Sequence, residues 1–400
     1  MSHDMEFGGA TATSTIGAMI AGLFAGSTVL TPLYIIYKQQ FGFSQITLTL
    51  IYAIYVVGNL VALLFFGRLS DKFGRRRTAM SAIAVTALDA LIFVSAESTV
   101  SLYIGRVLTG LGVGVGAGTG TAWISELIAE DDKSRATVIT TATNFIGLAH
   151  GALVSGLLAQ YAPWPLRLPF LVYLLALGAV ALLVWRTHET VARPARDLGQ
   201  FSLRPRLSVP RSIRTQFVAP AITGFGVLAL TGFYAALVPS ILAEHLHQNS
   251  HAAAGALVFE LGIVVSATVT VTQRFASRTA MLCALALMPP SVVLIVSAQV
   301  LESMLIMVAA TALCGVTTGL GYRGSLQVVN EIAPEDRRAE VASSYFVCGF
   351  CGNALPVVGI GVLSTLTNST AASIAFAAML IVFAPAAFVF GSKYTNAVRS

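Results

Sequence analysis

Charge is what this sequence has least of. Only 10% of its 400 residues are Asp, Glu, Lys or Arg, while 56% are hydrophobic; a soluble domain carries roughly a quarter charged residues. So few charges cannot cover a water-facing surface, which excludes a soluble globular chain and a disordered one. Cysteine is equally scarce. Cys283, Cys314, Cys348 and Cys351 all fall inside apolar runs, which excludes a disulfide framework. Cys348 and Cys351 form C-x-x-C, but a pair at i,i+3 of an apolar helix reads as two small packing residues. No stretch matches G-x-x-x-x-G-K-[ST], so the chain carries no P-loop for nucleotide hydrolysis.

What abounds is the apolar run of roughly 17–25 residues, long enough to cross hydrocarbon as a helix. Twelve are read, at 16–37, 45–67, 78–96, 101–125, 136–160, 168–185, 215–241, 252–273, 279–299, 303–328, 340–364 and 371–391. Mean hydropathy is +0.79. The first run is too long for a signal-peptide core and has no basic segment before it, so it is expected to remain as an uncleaved helix. The basic residues orient the chain. Twenty of the 24 Lys and Arg residues fall on the side that holds both termini; Lys38 and Arg167 fall on the other, and Arg106 and Arg323 lie within spans. By the positive-inside rule both termini are cytoplasmic. The net charge of +6 then reflects topology, not nucleic-acid binding. The preponderance of Arg over Lys and the high Ala content point to a GC-rich bacterial genome, hence to a bacterial inner membrane.

The run RTHETVARPARDLGQFSLRPRLSVPRSIR (186–214) breaks the apolar rhythm and divides the chain into an N-terminal six-helix bundle (1–190), a linker (191–214) and a C-terminal bundle (215–400). The basic linker can lie on anionic headgroups or be a solvated loop. The halves echo each other: IAEDDKSRA (128–136) follows the fourth span and IAPEDRRAE (332–340) follows the tenth. Duplicated halves are the construction of secondary transporters that rock around a midplane site.

After the second span stands Gly67-Arg68-Leu69-Ser70-Asp71-Lys72-Phe73-Gly74-Arg75-Arg76-Arg77. It resembles the signature G-x-x-x-D-[RK]-x-G-R-[RK]-[RK] of the major facilitator superfamily at every defining position, and the twelve-span layout extends that resemblance over nearly the whole chain. The resemblance implies an all-α integral membrane protein, with twelve transmembrane helices in two pseudo-symmetric six-helix bundles. It also implies a gating role for Gly67, Asp71, Lys72, Gly74, Arg75 and Arg76, with Asp71 acting against the start of the eleventh span near Ala339. Independently, the glycines permit tight turns, and the arginines can pair with Glu126, Glu130, Asp131 and Asp132.

The stretch RVLTGLGVGVGAGTGTAWISEL (106–127) places glycine at every second position from 110 to 120. Within lipid a strand or open loop is excluded. Wound as a helix, Gly110, Gly114 and Gly118 form one small-residue ridge and Gly112, Gly116 and Gly120 another, a face on which neighbouring helices approach closely. Its start, Arg106-x-x-x-Gly110-x-Gly112, resembles a motif of proton-coupled family members. Gly147 to Gly156 in the fifth span resembles the antiporter motif G-x-x-x-G-P-x-x-G-G, with Ala152 for proline and Ser155 for a glycine. Glu189-Thr190 resembles a pair found in drug–proton antiporters.

Ionisable groups inside the bilayer are costly and are functional candidates by default. Asp89 and Arg106 lie at similar depth on consecutive helices, as a structural salt bridge or as coupling groups. His150 and Glu260 lie at matching depths on helices that the family packs together, and either can carry a proton. These four are the proton-coupling candidates. Arg323 can bind a carboxylate or phosphate or snorkel to the interface; Tyr34 and Asn144 join it as candidate substrate contacts. His245, His247 and His251 cluster in one loop, read as exposed polar loop with no metal. No cofactor and no enzymatic constellation are expected. The partners are a small-molecule substrate, protons and the bilayer, and the chain is expected to be a monomer. The function expected is proton-coupled transport of a small organic solute by alternating access, as efflux. The alternative is a proton symporter importing an organic acid or sugar. A non-transporting receptor and a membrane enzyme are the other classes.

Overall fold

The first span does not cross as one helix. In the computed structural model, which describes residues 9–128, 133–191 and 207–394, α1 (Gly9–Val29) stops ahead of a 3-10 turn at Thr31–Leu33, and α2 (Tyr34–Phe41) completes the span. Pro32 supplies no amide hydrogen to a continuing helix, which is why the chain breaks there. The other spans follow as α3 (Gln45–Phe66), α5 (Arg75–Val94), α6 (Thr99–Leu127), α7 (Lys133–Tyr161), α8 (Leu168–Trp185), α9 (Arg214–His245), α10 (His251–Val271), α11 (Ser277–Val300), α12 (Met304–Ile332), α13 (Arg338–Leu366) and α14 (Ser369–Tyr394). A one-turn helix, α4 (Leu69–Phe73), sits in the loop after α3. Twelve spans among the described residues are long and apolar enough to cross a membrane.

Lengths are not uniform. α6, α7, α12 and α13 are each 29 residues, whereas α8 has 18. Large apolar side chains such as Leu88, Ile104, Leu175, Leu182 and Val382 stay exposed on the outer faces, as a lipid-facing surface requires.

Packing repeats between the halves. In the first, α1 packs on α6, α7 and α8, α3 on α6, and α5 on α6 and α8; in the second, α9 packs on α12, α13 and α14, α10 on α12, and α11 on α12 and α14. The pseudo-twofold pairs α1 with α9, α3 with α10, α5 with α11, α6 with α12, α7 with α13 and α8 with α14. It therefore exchanges the two seams that join the halves, α7 on α10 and α3 on α13. Both seams close on small residues. A methyl group at Gly255 would overlap the Ala152 carbonyl, and at Gly361 the Thr49 side chain. The Ser266 hydroxyl donates to the Ala142 carbonyl across the first seam at 3.0 Å.

Segments 67–74, 186–191, 207–213, 272–276 and 333–337 lie at one end of the bundle, called the basic end below. The opposite end is packed shut by Val29, Leu33, Tyr37, Leu48, Val238 and Ile241, all buried.

Candidate functional site

A cavity of about 430 Å³ lies between the halves. Its lining runs from Ser27, Tyr52 and Arg106, near the closed end, to Leu63, Ser125 and Phe346 at the basic end. Gly118, Thr121 and Ser125 form an exposed row along α6 towards the mouth. The walls are mostly apolar, with Phe24, Leu148, Leu228, Leu261 and Phe350 among them. The polar lining residues include Asn59 on α3, Asn144 on α7 and Asn353 on α13. Asn353 Oδ1 accepts from the Tyr52 hydroxyl at 2.9 Å, tying α3 to α13, while its amide donates to the Leu228 carbonyl at 3.1 Å.

Among the described residues, one charged side chain lines this cavity, that of Arg106. It is 1% exposed and lies over the rings of Tyr55 and Tyr52, 4.7 and 5.5 Å from their centroids. Such contacts contribute roughly 0.5–2 kcal/mol each, more when dry. Its only hydrogen bond goes from Nη1 to the Ser27 carbonyl at 2.8 Å, and its Nε has no partner. Asp89, one helix behind on α5, is equally buried. Its Oδ2 accepts from the Thr109 hydroxyl at 2.8 Å, and its Oδ1 is unpartnered. The Asp89 carboxyl lies within electrostatic range of Arg106 without forming an ion pair.

The basic end carries a second constellation. Gly74 adopts φ +97°, a conformation that side chains disfavour, and so starts α5 directly after α4. Arg75, buried at the head of α5, donates to Asp71 at 2.5 Å, to Ser70 Oγ at 2.5 Å and to both oxygens of Glu126 at 2.6 and 3.3 Å. Glu126 also accepts from the Thr190 hydroxyl at 2.5 Å. The Glu189 carboxylate caps α5, accepting from the amides of Arg75 and Arg76 at 2.9 and 3.0 Å, where the helix dipole favours an anion. Asp71, 58% exposed, has Arg75 as its partner and does not engage the start of α13. The cavity opens at this end, which separates the two. Glu130, Asp131 and Asp132 lie outside the described residues.

The second half keeps a neutral version. Ser277, at the head of α11, donates to Glu331 at 2.7 Å. Arg278 holds the carbonyls of Gly391 and Ser392 at the end of α14, as Arg76 reaches the Trp185 carbonyl at the end of α8.

The sequence profile of the Major Facilitator Superfamily matches residues 15–355, most of the chain. The chain belongs to the Major Facilitator Superfamily. Among curated proteins it is similar to "Putative multidrug resistance protein MdtD" of Escherichia coli O127:H6, 27% identical over 236 residues, which is 57% of this chain and 50% of that protein. Its likeness to the protein of the same name in Escherichia coli O157:H7 (strain EC4115) is 26% over 214 residues, 53% of this chain and 45% of the relative. The chain thus spans about half the length of the curated relatives it matches.

Within this superfamily architecture, the residues singled out from sequence divide. Arg106 and Asn144 line the cavity, and the Asn144 Oδ1 is buried without a partner. Tyr34 is buried at the closed end within electrostatic range of Arg106 and is not part of the lining. Arg323 is turned away from the cavity: it donates to the carbonyls of Thr272, Gln273 and Phe275 at 2.5, 2.8 and 2.8 Å. It caps the end of α10, where the dipole favours a cation. His150 is exposed, its Nδ1 2.8 Å from the Ile146 carbonyl and its ring edge-on to Phe259. Glu260 is half-buried and absent from the lining, although Val258 and Gly262 belong to it. At 3.6 residues per turn it points about 160° away from both. The structure therefore does not bring His150, Glu260 or Arg323 to the cavity.

Of the six alternating glycines, five take close contacts. A methyl group at Gly110 would overlap the Tyr55 carbonyl on α3; at Gly112, Thr86 on α5; at Gly116, Leu23 on α1. At Gly114 it would lie 2.5 Å from Ala62 Cβ, and at Gly120, 2.6 Å from Ile20 Cγ1. Gly118 has open space and faces the cavity. Histidines of the 245–251 loop diverge: His245 Nε2 is 2.6 Å from Ser369 Oγ, while His247 is 3.6 Å from Glu302.

Arg75→Lys tests the loop. A lysine keeps the charge but cannot present a fork to Glu126 while also reaching Asp71 and Ser70. Transport rate is expected to fall about tenfold with substrate affinity unchanged, as read from initial rates and equilibrium binding on purified protein.

Proposed function

We propose that this chain is a secondary transporter that moves a small organic solute across a bacterial inner membrane by alternating access, coupled to protons and working as an exporter. The observation that carries the reading is the cavity: both halves line it, it opens at one end, and the other end is packed shut. With the basic end cytoplasmic, a reading supported by the distribution of Lys and Arg, the arrangement is inward-facing, ready to load solute from the cell. The name of the MdtD relatives supports efflux. In this reading Asp89 is the proton site, because its unpartnered Oδ1 is buried beside Arg106, and the contacts of Arg75, Glu126 and Glu189 hold the cytoplasmic end in its present state. Import by symport is the second reading, favoured by Ala152 and Ser155 where antiporters carry proline and glycine.

Pyranine-loaded proteoliposomes test the activity. Adding 2-naphthoate or ethidium in the presence of a pH gradient is expected to move protons, visible as a lumenal fluorescence change faster than the passive change in protein-free vesicles. No solute-linked proton movement with either compound overturns the coupling. Orientation is tested separately. In a cysteine-free background, Ser400→Cys is expected to resist an impermeant maleimide in intact cells and to react after lysis; labelling of intact cells reverses the topology.

A further inference from the structure

We infer that the solute this cavity accepts is an amphipathic organic anion: a mainly apolar body bearing one carboxylate, or an anionic group of like geometry. The inference rests on the transport reading for its physiological meaning, but its chemistry comes from the cavity itself. Among the described residues that line it, one side chain is charged, and it is a cation. An organic cation would find no carboxylate there. It would also find the faces of Tyr52 and Tyr55 already covered by the Arg106 guanidinium.

Arg106 is held in place yet left wanting an acceptor. A guanidinium has five N–H donors in a fixed fork, and here one of them is used, towards the Ser27 carbonyl. The Nε is buried and unpartnered, an arrangement that costs free energy in a dry site unless an acceptor arrives. Asp89 does not supply that acceptor: its Oδ2 accepts from Thr109, and its Oδ1 makes no hydrogen bond. A carboxylate entering from the mouth would meet the guanidinium near the closed end of the cavity and could pair with it in bidentate fashion.

The rest of the lining fits the rest of such a molecule. Phe24, Leu148, Leu228, Leu261, Phe346 and Phe350 offer apolar contact. Asn144, half-buried with an unpartnered Oδ1, supplies one further polar contact for a hydroxyl or amide on the ligand. A volume of about 430 Å³ accommodates one or two fused rings.

The test uses three probes of matched shape: 2-naphthoate, 2-naphthamide and 2-naphthylmethylammonium. Tritiated 2-naphthoate is bound to the purified full-length protein in detergent, and the other two serve as competitors. The anion is expected to bind at least tenfold more tightly than the amide, with the cation weaker still. Arg106→Gln is expected to abolish this preference while leaving amide competition in place, and Arg106→Lys to retain part of it. Equal or tighter binding of the cation by the wild-type protein overturns the inference, as does an anion preference that survives Arg106→Gln, or no naphthoate binding at millimolar concentration. The wild-type ranking stands even if the variants fail to fold. It is also independent of the proteoliposome result: selective anion binding with no proton movement would sink the proton-coupled reading and leave the ligand class intact.

Discussion

Replacing Asp89 with Asn is expected to abolish accumulation driven by a pH gradient, lowering it by about a hundredfold, the scale on which a positioned proton-transfer group acts. The amide keeps the shape of the carboxyl and can still accept from Thr109, whose hydroxyl donates to Oδ2 at 2.8 Å. It cannot hold and release a proton. Counterflow exchange of preloaded solute, which needs the halves to reorient but no net proton movement, should persist in the same proteoliposomes. Thr109→Val is the control for disturbed packing: it removes the hydrogen bond but leaves a titratable carboxylate, and is expected to retain gradient-driven uptake at a reduced rate. Wild-type accumulation by the Asn variant would remove Asp89 from the mechanism. Coupling would then have to run through another group, of which Glu260 is the foremost.

The second large effect separates two glycines eight residues apart on the same helix. At Gly110 even a methyl group would overlap the Tyr55 carbonyl, a backbone atom that cannot step aside. Gly110→Ala should therefore prise α6 from α3 and destabilise the protein by about 1–3 kcal/mol or more, the range for overpacking, read as a lowered melting temperature of purified protein. At Gly118 nothing lies within 4 Å of an added Cβ, and the space is the cavity. Gly118→Leu is expected to melt at the wild-type temperature yet to lose solute binding and transport, because the side chain occupies the path from the mouth to Arg106. If Gly118→Leu transports normally, solute does not pass along that face of α6. If Gly110→Ala is as stable as the parent, α3 and α6 tolerate a wider separation than their present contact.

Sequence made some of this visible for definite physical reasons. Apolar length reports a span whatever its neighbours, so the sixth span, read at 168–185, coincides with α8. The break at Pro32 was missed because hydropathy does not register a lost amide donor. Depth was readable too, but azimuth was not. Glu260 and Val258 share a depth and face nearly opposite ways, and only the packing of α10 decides which meets the cavity. Arg106 and Arg323 posed the same difficulty. Each is a lone arginine in a glycine-rich helix, yet one faces two tyrosine rings and the other three carbonyls at the end of α10. Asn59 and Asn353 drew no attention, being neutral, although an amide inside an apolar span is itself a polar signal. Glu189 was legible only as half of a pair resembling one in drug–proton antiporters. Its position as the cap of α5 depends on where the chain leaves α8, which no local pattern encodes.

In the proposed alternating-access cycle, the four helices of 29 residues act as lever arms. At ~1.5 Å per residue each is about 43 Å long, well beyond the hydrocarbon thickness of about 30 Å. Pivoting such a rod by about 10° around its midpoint sweeps its tip through about 4 Å, more than the width of a water molecule. Where the helices cross, near the fulcrum, the same pivot slides one surface past another by only a fraction of that distance, and contacts made through glycine and alanine offer few protruding groups to catch. A motion small enough to leave the seams closed is thus magnified into passage or blockage at the tips, and α8, at 18 residues, has no overhang with which to take part.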